Sequence, residues 1–119
     1  LEFVREHPQV KVKLQIGNRA DVVNQLAGQD IDLAIMGRPP AELKTVSAAF
    51  AKHPMAFVAA PSHPLMTTPK PGLAALNQAN LLVRERGSGT RTTVEQMFKD
   101  AGVSLTIGSE MSSNEAIKQ

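Results

Sequence analysis

The stretch Arg84-Glu85-Arg86-Gly87-Ser88-Gly89-Thr90-Arg91 holds the residue types best suited to chemistry in this chain. Leu81-Leu82-Val83 before it is a brief buried strand. Val94, Met97, Phe98 and Ala101 after it recur at helical spacing, with Gly102 as the stop. The turn therefore joins a strand to the amino end of a helix. Glycines there let the backbone approach a ligand closely. The unpaired N–H groups of the first helical turn point outward and carry about half a positive charge. Ser88 and Thr90 add hydroxyls, and Arg91 adds a planar fork matched to carboxylate or phosphate. Such a turn can seat an anion. In the plainer alternative, Ser88 or Thr90 only caps the helix and the glycines only make the turn. The turn is not a Walker loop, because G-x-x-x-x-G-K-[ST] and its lysine are absent. Nor is it a nucleophile elbow, because Arg86 stands where G-x-S-x-G needs glycine.

Two further places offer polar groups at the end of an expected strand. Arg38 follows the run Ile31 to Met36, and Ser113 and Asn114 follow Val103 to Met111. Ligands of parallel sheets sit beyond the carboxyl ends of strands, so Arg38, Ser113 and Asn114 are candidate contacts. A surface arginine and a simple helix cap are the alternatives. His7, His53 and His63 each precede a proline, fall in expected turns and form no H-x-x-x-H pair. They are expected to be solvated or packed in loops. With no cysteine and no spaced histidine pair, no metal site is expected, and no acid–base or nucleophile–base pair marks a catalytic centre.

The elements that hold these groups follow from periodicity and punctuation. Residues 1–6 are the end of a helix that stops at His7-Pro8. Val10, Val12, Leu14 and Ile16 alternate with polar residues, which predicts a strand with one buried face. Asn18 caps a short helix with Asp21 in its first turn, Val22, Val23 and Leu26 inward, and Gly28 just past its end. Ile31–Met36 is a mostly apolar strand, so a parallel βαβ unit is expected. Val46–Phe50 and Met55–Ala60 are read as two further strands, and Leu73–Asn77 as a short helix after a proline-rich stretch from Pro61 to Pro71. Val103–Met111 is a strand by its alternation, and Ser112 with Glu115 makes a capping-box pattern for a last helix. The chain is expected to begin late in one helix and stop early in another. Without a strand between them, Val10–Ile16 and Leu33–Met36 would lose a shared neighbour.

The 119 residues, 42% hydrophobic and 20% charged, have the balance of a globular chain rather than a disordered one. No apolar run approaches the ~20 residues of a membrane helix, and no signal peptide is in view. The lack of cysteine suits a reducing compartment, and a cytoplasmic location is expected. Thirteen Lys and Arg against eleven Asp and Glu, with four Phe and no Trp or Tyr, make no footprint for nucleic acid. Any DNA contact must come from another part of the polypeptide.

Six runs carry a resemblance. Phe3-Val4-Arg5-Glu6-His7-Pro8-Gln9-Val10 with Leu14-Gln15-Ile16-Gly17-Asn18 resembles the opening of a LysR-type regulatory domain. Leu26-Ala27-Gly28-Gln29-Asp30-Ile31-Asp32-Leu33-Ala34-Ile35 resembles that family's L-x-x-G-x-x-D-L-A-I signature. Ala60-Pro61-Ser62-His63-Pro64-Leu65 is similar to its hinge segment. Val83 to Arg91 and Met111 to Lys118 are similar to the branch that regulates Calvin-cycle (RuBisCO) operons. The likeness spans essentially the whole chain.

The resemblance implies an α/β fold of two Rossmann-like lobes of the type II periplasmic-binding-protein kind, here truncated at both ends. Lobe one is expected at 1–55, the hinge crossing at 56–60 and lobe two at 61–119. It implies an effector cleft between the lobes, with Ser88, Gly89, Thr90 and Arg91 on the ligand and Arg38, Ser113 and Asn114 beside it. The implied partners are a small anionic metabolite, phosphorylated in the Calvin-cycle branch, and DNA through a winged helix-turn-helix outside this chain. A homodimer or dimer of dimers is implied, with no cofactor and no membrane. Two competing readings are a periplasmic-type solute-binding protein, which upstream residues with a signal peptide would favour, and an α/β enzyme, which turnover of a bound metabolite would favour.

Overall fold

A computed structural model describes residues 2–118. Leu1, counted above in the opening helix, and Gln119, at the end of the last one, lie outside the described residues. Helix α1 (Glu2–Glu6) ends at the expected proline, with the His7 ring 4.7 Å from that of Phe3. Helix α2 (Arg19–Ala27) begins where Asn18 predicts. The Asn18 side chain accepts from the Asp21 N–H at 3.0 Å, and the Asp21 carboxylate accepts from the Asn18 N–H at 3.3 Å. This reciprocal box satisfies two donors that the helix end would otherwise leave open. Val22, Val23 and Leu26 form its half-buried stripe.

The segments read as strands in the first half differ from expectation. Val10–Ile16, Ile31–Met36, Val46–Phe50 and Met55–Ala60 have no ladder among the described residues, so the expected βαβ unit is not formed. Leu14 and Ile16 are 77% and 93% exposed, and Leu33, Ile35 and Val46 are similarly open. The physical reason is that alternation specifies only a face. A strand also needs an edge to pair with, and none of these segments meets one.

The second half does contain a sheet. A 3-10 turn (Pro64–Thr67) is capped by His63, whose Nδ1 accepts from the Leu65 N–H at 3.2 Å, which fits the loop role expected of that histidine. Helix α3 (Leu73–Asn77) follows, then strand β1 (Leu82–Arg84), one residue later than its apolar run suggests. Helix α4 (Gly89–Asp100) leads to β2 (Ser109–Met111), which pairs parallel to β1 with Leu82 opposite Ser109 and Arg84 opposite Met111.

The expected long strand Val103–Met111 is thus cut to three residues. β1 offers only three partners, and the Asn77 side chain takes over part of the upstream backbone. Its amide donates to the Ser104 carbonyl at 2.9 Å and accepts from the Thr106 N–H at 2.6 Å. Phe98 (1% exposed) and Val83 form the apolar core where α4 crosses the sheet. Gly102 ends α4 at φ 67°, with the Gly102 N–H on Lys99 and the Val103 N–H on Phe98. The last helix, α5 (Asn114–Lys118), is capped by Ser113, whose Oγ accepts from the Ala116 N–H at 3.0 Å. The Ser112–Glu115 pairing is therefore corrected by one residue. With Asn114 as the first helical residue, the N–H in reach of a cap belongs to Ala116.

Candidate functional site

Because β1 and β2 run parallel, their carboxyl ends share one edge. The turn after Arg84 and the Ser112-Ser113 junction both leave from it, and the Glu85 N–H bonds the Met111 carbonyl at 2.9 Å. Against this edge lies α2. The Ala20 N–H donates to the Gly87 carbonyl at 3.0 Å, and Gly89 packs under the Arg19 stem. Two helix amino ends thus converge on one cavity of about 550 Å³, within the range of small-molecule sites. One wall is Gly17, Asn18 and Arg19, and the facing wall is Ser88, Gly89 and Thr90. Arg38, His53 and Arg84 close the sides.

The two helix ends differ. That of α2 is already satisfied: by the Asn18–Asp21 box, an acidic residue in the first turn, and the bond from Ala20 to Gly87. That of α4 has no acidic residue in its first turn and no side-chain cap. Among the described residues the N–H groups of Gly89, Thr90 and Arg91 meet no acceptor. Ser88 is 2% exposed as a residue, its hydroxyl neither caps the helix nor bonds another described residue, and that oxygen is not sealed away from the cavity. A hydroxyl open to the cavity, beside free N–H donors and three arginines, is arranged for an anion.

Of the residues singled out in the sequence, Ser88, Gly89, Thr90 and Arg38 line this cavity. Arg91 is not among the lining residues. Its guanidinium, 5% exposed, turns back beneath the helix. Nε bonds Glu95 at 2.6 Å, and Nη1 bonds the Arg84 carbonyl at 3.1 Å and Glu110 at 3.4 Å. As the third helical residue it faces the sheet, where two carboxylates neutralise it. Ser113 caps α5 instead of lining the cavity, and Asn114 reaches it only through Arg84, whose Nη1 donates to Asn114 Oδ1 at 2.8 Å.

Arg19, Arg84 and His53 are cavity residues that sequence reasoning passed over. Arg19 had a signal, since Gly17-Asn18-Arg19 repeats the glycine–cap–helix order of Gly87-Ser88-Gly89. Arg84 also pairs with Glu85, Nε to Oε2 at 2.8 Å and Nη2 to Oε1 at 3.0 Å. This bond holds the Glu85 carboxyl below its ordinary range, with the Asn18 amide a smaller pull, and raises the Arg84 guanidinium. Among the described residues no cluster of three His, Cys, Asp or Glu could hold a metal. No helix there is long and apolar enough to cross a membrane.

Comparison with known proteins identifies this arrangement. Residues 1–119 match the LysR substrate binding domain. The chain belongs to this family. The transcriptional activator CmpR of Synechocystis sp. is 39% identical over 118 residues, covering 99% of this chain and 39% of its own. The regulator CbbR of Rhizobium meliloti is 41% identical, over 98% of this chain and 38% of its own. CfxR of Cupriavidus necator is 44% identical, over 98% and 37%. These relatives are transcriptional regulators rather than enzymes, and the chain spans about two fifths of their length.

The regulatory domain of Synechocystis CcmR in complex with 2-PG superposes with a TM-score of 0.84 at 32% identity. The match covers 99% of this chain and 57% of that one. The LysR domain described here therefore has the type II periplasmic-binding-like α/β fold, of which the β1–α4–β2 unit is the hydrogen-bonded part.

Proposed function

We propose that this LysR domain senses a small anionic metabolite for a regulator of Calvin-cycle genes. The anionic group sits on Ser88, Gly89 and Thr90, with Arg19 and Arg38 closing over it from the other wall. Lobe one ends near residue 55, the chain crosses at 56–60, and lobe two begins at 61, so the cavity lies between the lobes. The observation that carries this reading is the open amino end of α4, with no side-chain cap and with Ser88 on the cavity wall. The 2-PG in the CcmR domain supports a small anionic ligand, and a relative from Allochromatium vinosum named as a RuBisCO operon transcriptional regulator supports the Calvin-cycle role.

Binding closes the lobes on the ligand and alters how a cytoplasmic homodimer, or dimer of dimers, holds DNA through a helix-turn-helix outside this chain. The test is calorimetric titration of the full-length regulator with 2-PG, wild type beside Ser88→Ala/Thr90→Val. Binding lost in the double variant supports the reading, and binding unchanged in a folded double variant places the ligand elsewhere.

A further inference from the structure

We propose that His53 is a proton-dependent contact for the ligand: its imidazolium holds the anion in the cavity, and its neutral ring does not. This rests on the reading of the cavity as an anion site and adds a titrating group to it. The chain has three histidines, and two are occupied by their own surroundings. The His7 ring lies 4.7 Å from that of Phe3, and His63 Nδ1 accepts from the Leu65 N–H. His53 is the histidine that lines the cavity, and its ring has no hydrogen-bond or ion-pair partner among the described residues. Met55 lines the cavity as well, at the spacing with which an extended chain returns to the same face.

The charged groups around His53 leave it to a ligand. Arg19 from α2, Arg38 from the segment after Met36 and Arg84 from β1 line the same cavity, and among the described residues no carboxylate does. The carboxylates bonded to these walls are committed, Asp21 to the Asn18 N–H and Glu85 to two nitrogens of Arg84. Lys52, beside His53 in the chain, is exposed. An imidazolium in this place therefore finds its counter-charge in a bound anion. Guanidiniums stay charged at any pH a protein meets. Carboxylates ordinarily titrate near 4, and Glu85 is held lower still by Arg84. The imidazole is thus the group on these walls that changes charge between about pH 5 and 8. Protonated, it adds a fourth cation to the three arginines, so affinity for an anion of fixed charge falls as pH rises.

The experiment is calorimetric titration of the full-length regulator with sulfate at about pH 5.5 and about pH 8, with ionic strength held constant by sodium chloride. Sulfate keeps two charges throughout, so a change in affinity belongs to the protein. The wild type is expected to bind on the order of fivefold more tightly at the lower pH. His53→Gln should bind equally at both, at the weaker level. His53→Lys, charged at both, should bind equally at the tighter level. His7→Gln and His63→Asn should keep the wild-type ratio. A wild type whose affinity does not change with pH, or a His53→Gln protein that keeps the wild-type ratio, overturns the proposal. Ser88→Ala/Thr90→Val is titrated alongside. If sulfate binding survives there, or is absent from the wild type, the cavity reading fails and the His53 contact with it. Loss in the double variant beside an unchanged ratio in His53→Gln removes the His53 contact alone.

Discussion

The backbone N–H of Ala20 reaches the carbonyl of Gly87 at 3.0 Å, and this bond joins the first turn of α2 to the turn that opens α4. Gly87 sits at φ 88°, and a Cβ there would come 3.0 Å from that of Ala20. The contact thus requires both the left-handed backbone and the missing side chain. Gly87→Ala should cost about 1–2 kcal/mol from the backbone alone, with the clash pushing the two walls of the cavity apart. Thermal melting should show the loss, and titration with 2-PG should show weaker binding than stability alone explains.

Ser88→Ala should leave the melting temperature nearly unchanged, because the Ser88 hydroxyl makes no cap bond to α4 and bonds no other described residue. Its effect should fall on the ligand. One neutral hydrogen bond contributes about 0.5–1.5 kcal/mol, so 2-PG affinity should drop roughly two- to tenfold by calorimetry. Thr90→Val, which keeps the shape, should act in the same direction.

Arg91→Ala should behave in the opposite way. The side chain ties α4 to the Arg84 carbonyl and to Glu110 of β2, and both bonds vanish with it. A loss of about 1–3 kcal/mol of stability is expected in denaturant titration. Arg91→Lys should recover only part of it, since an ammonium cannot span the three acceptors as a fork does.

The Arg84–Glu85 pair makes a pH prediction. Glu85 titrates below its ordinary value of 4.5 in the folded chain, chiefly through its bond to Arg84. A depressed carboxyl stabilises the fold above that ordinary value and loses the contribution as pH falls through its folded value. Melting temperatures of wild type and Glu85→Gln should therefore differ near neutral pH, and the difference should shrink as pH falls below 4.5. A difference that grows on acidification would contradict the assignment.

The exposed faces of the first half predict association. Leu14, Ile16, Leu33 and Ile35 present apolar surface and open backbone groups. The radius of gyration is 18.0 Å, against about 13.5 Å for a compact chain of this length. The isolated 119-residue chain should not sediment as a folded monomer at micromolar concentration. A single sharp monomer boundary in ultracentrifugation would refute this.

The sequence by itself determined what is local. Asn18 and Asp21 lie three residues apart, so the α2 cap could be read directly, as could the stop of α4 at Gly102 and the turn that opens it at Ser88. It also determined the family, because runs such as Leu26 to Ile35 can be matched without coordinates. Only the tertiary structure decided which way each arginine faces. Arg91 and Arg84 flank the same turn with the same charge, yet one is drawn under the helix by Glu95 and Glu110 and the other stays on the cavity wall. Those acceptors sit on a neighbouring helical turn and on β2, and their pull depends on separation in space rather than along the chain. Pairing obeys the same limit. The alternation of Val10 to Ile16 fixes a face, but a ladder needs a second edge, and the position of that edge is a property of the assembled fold.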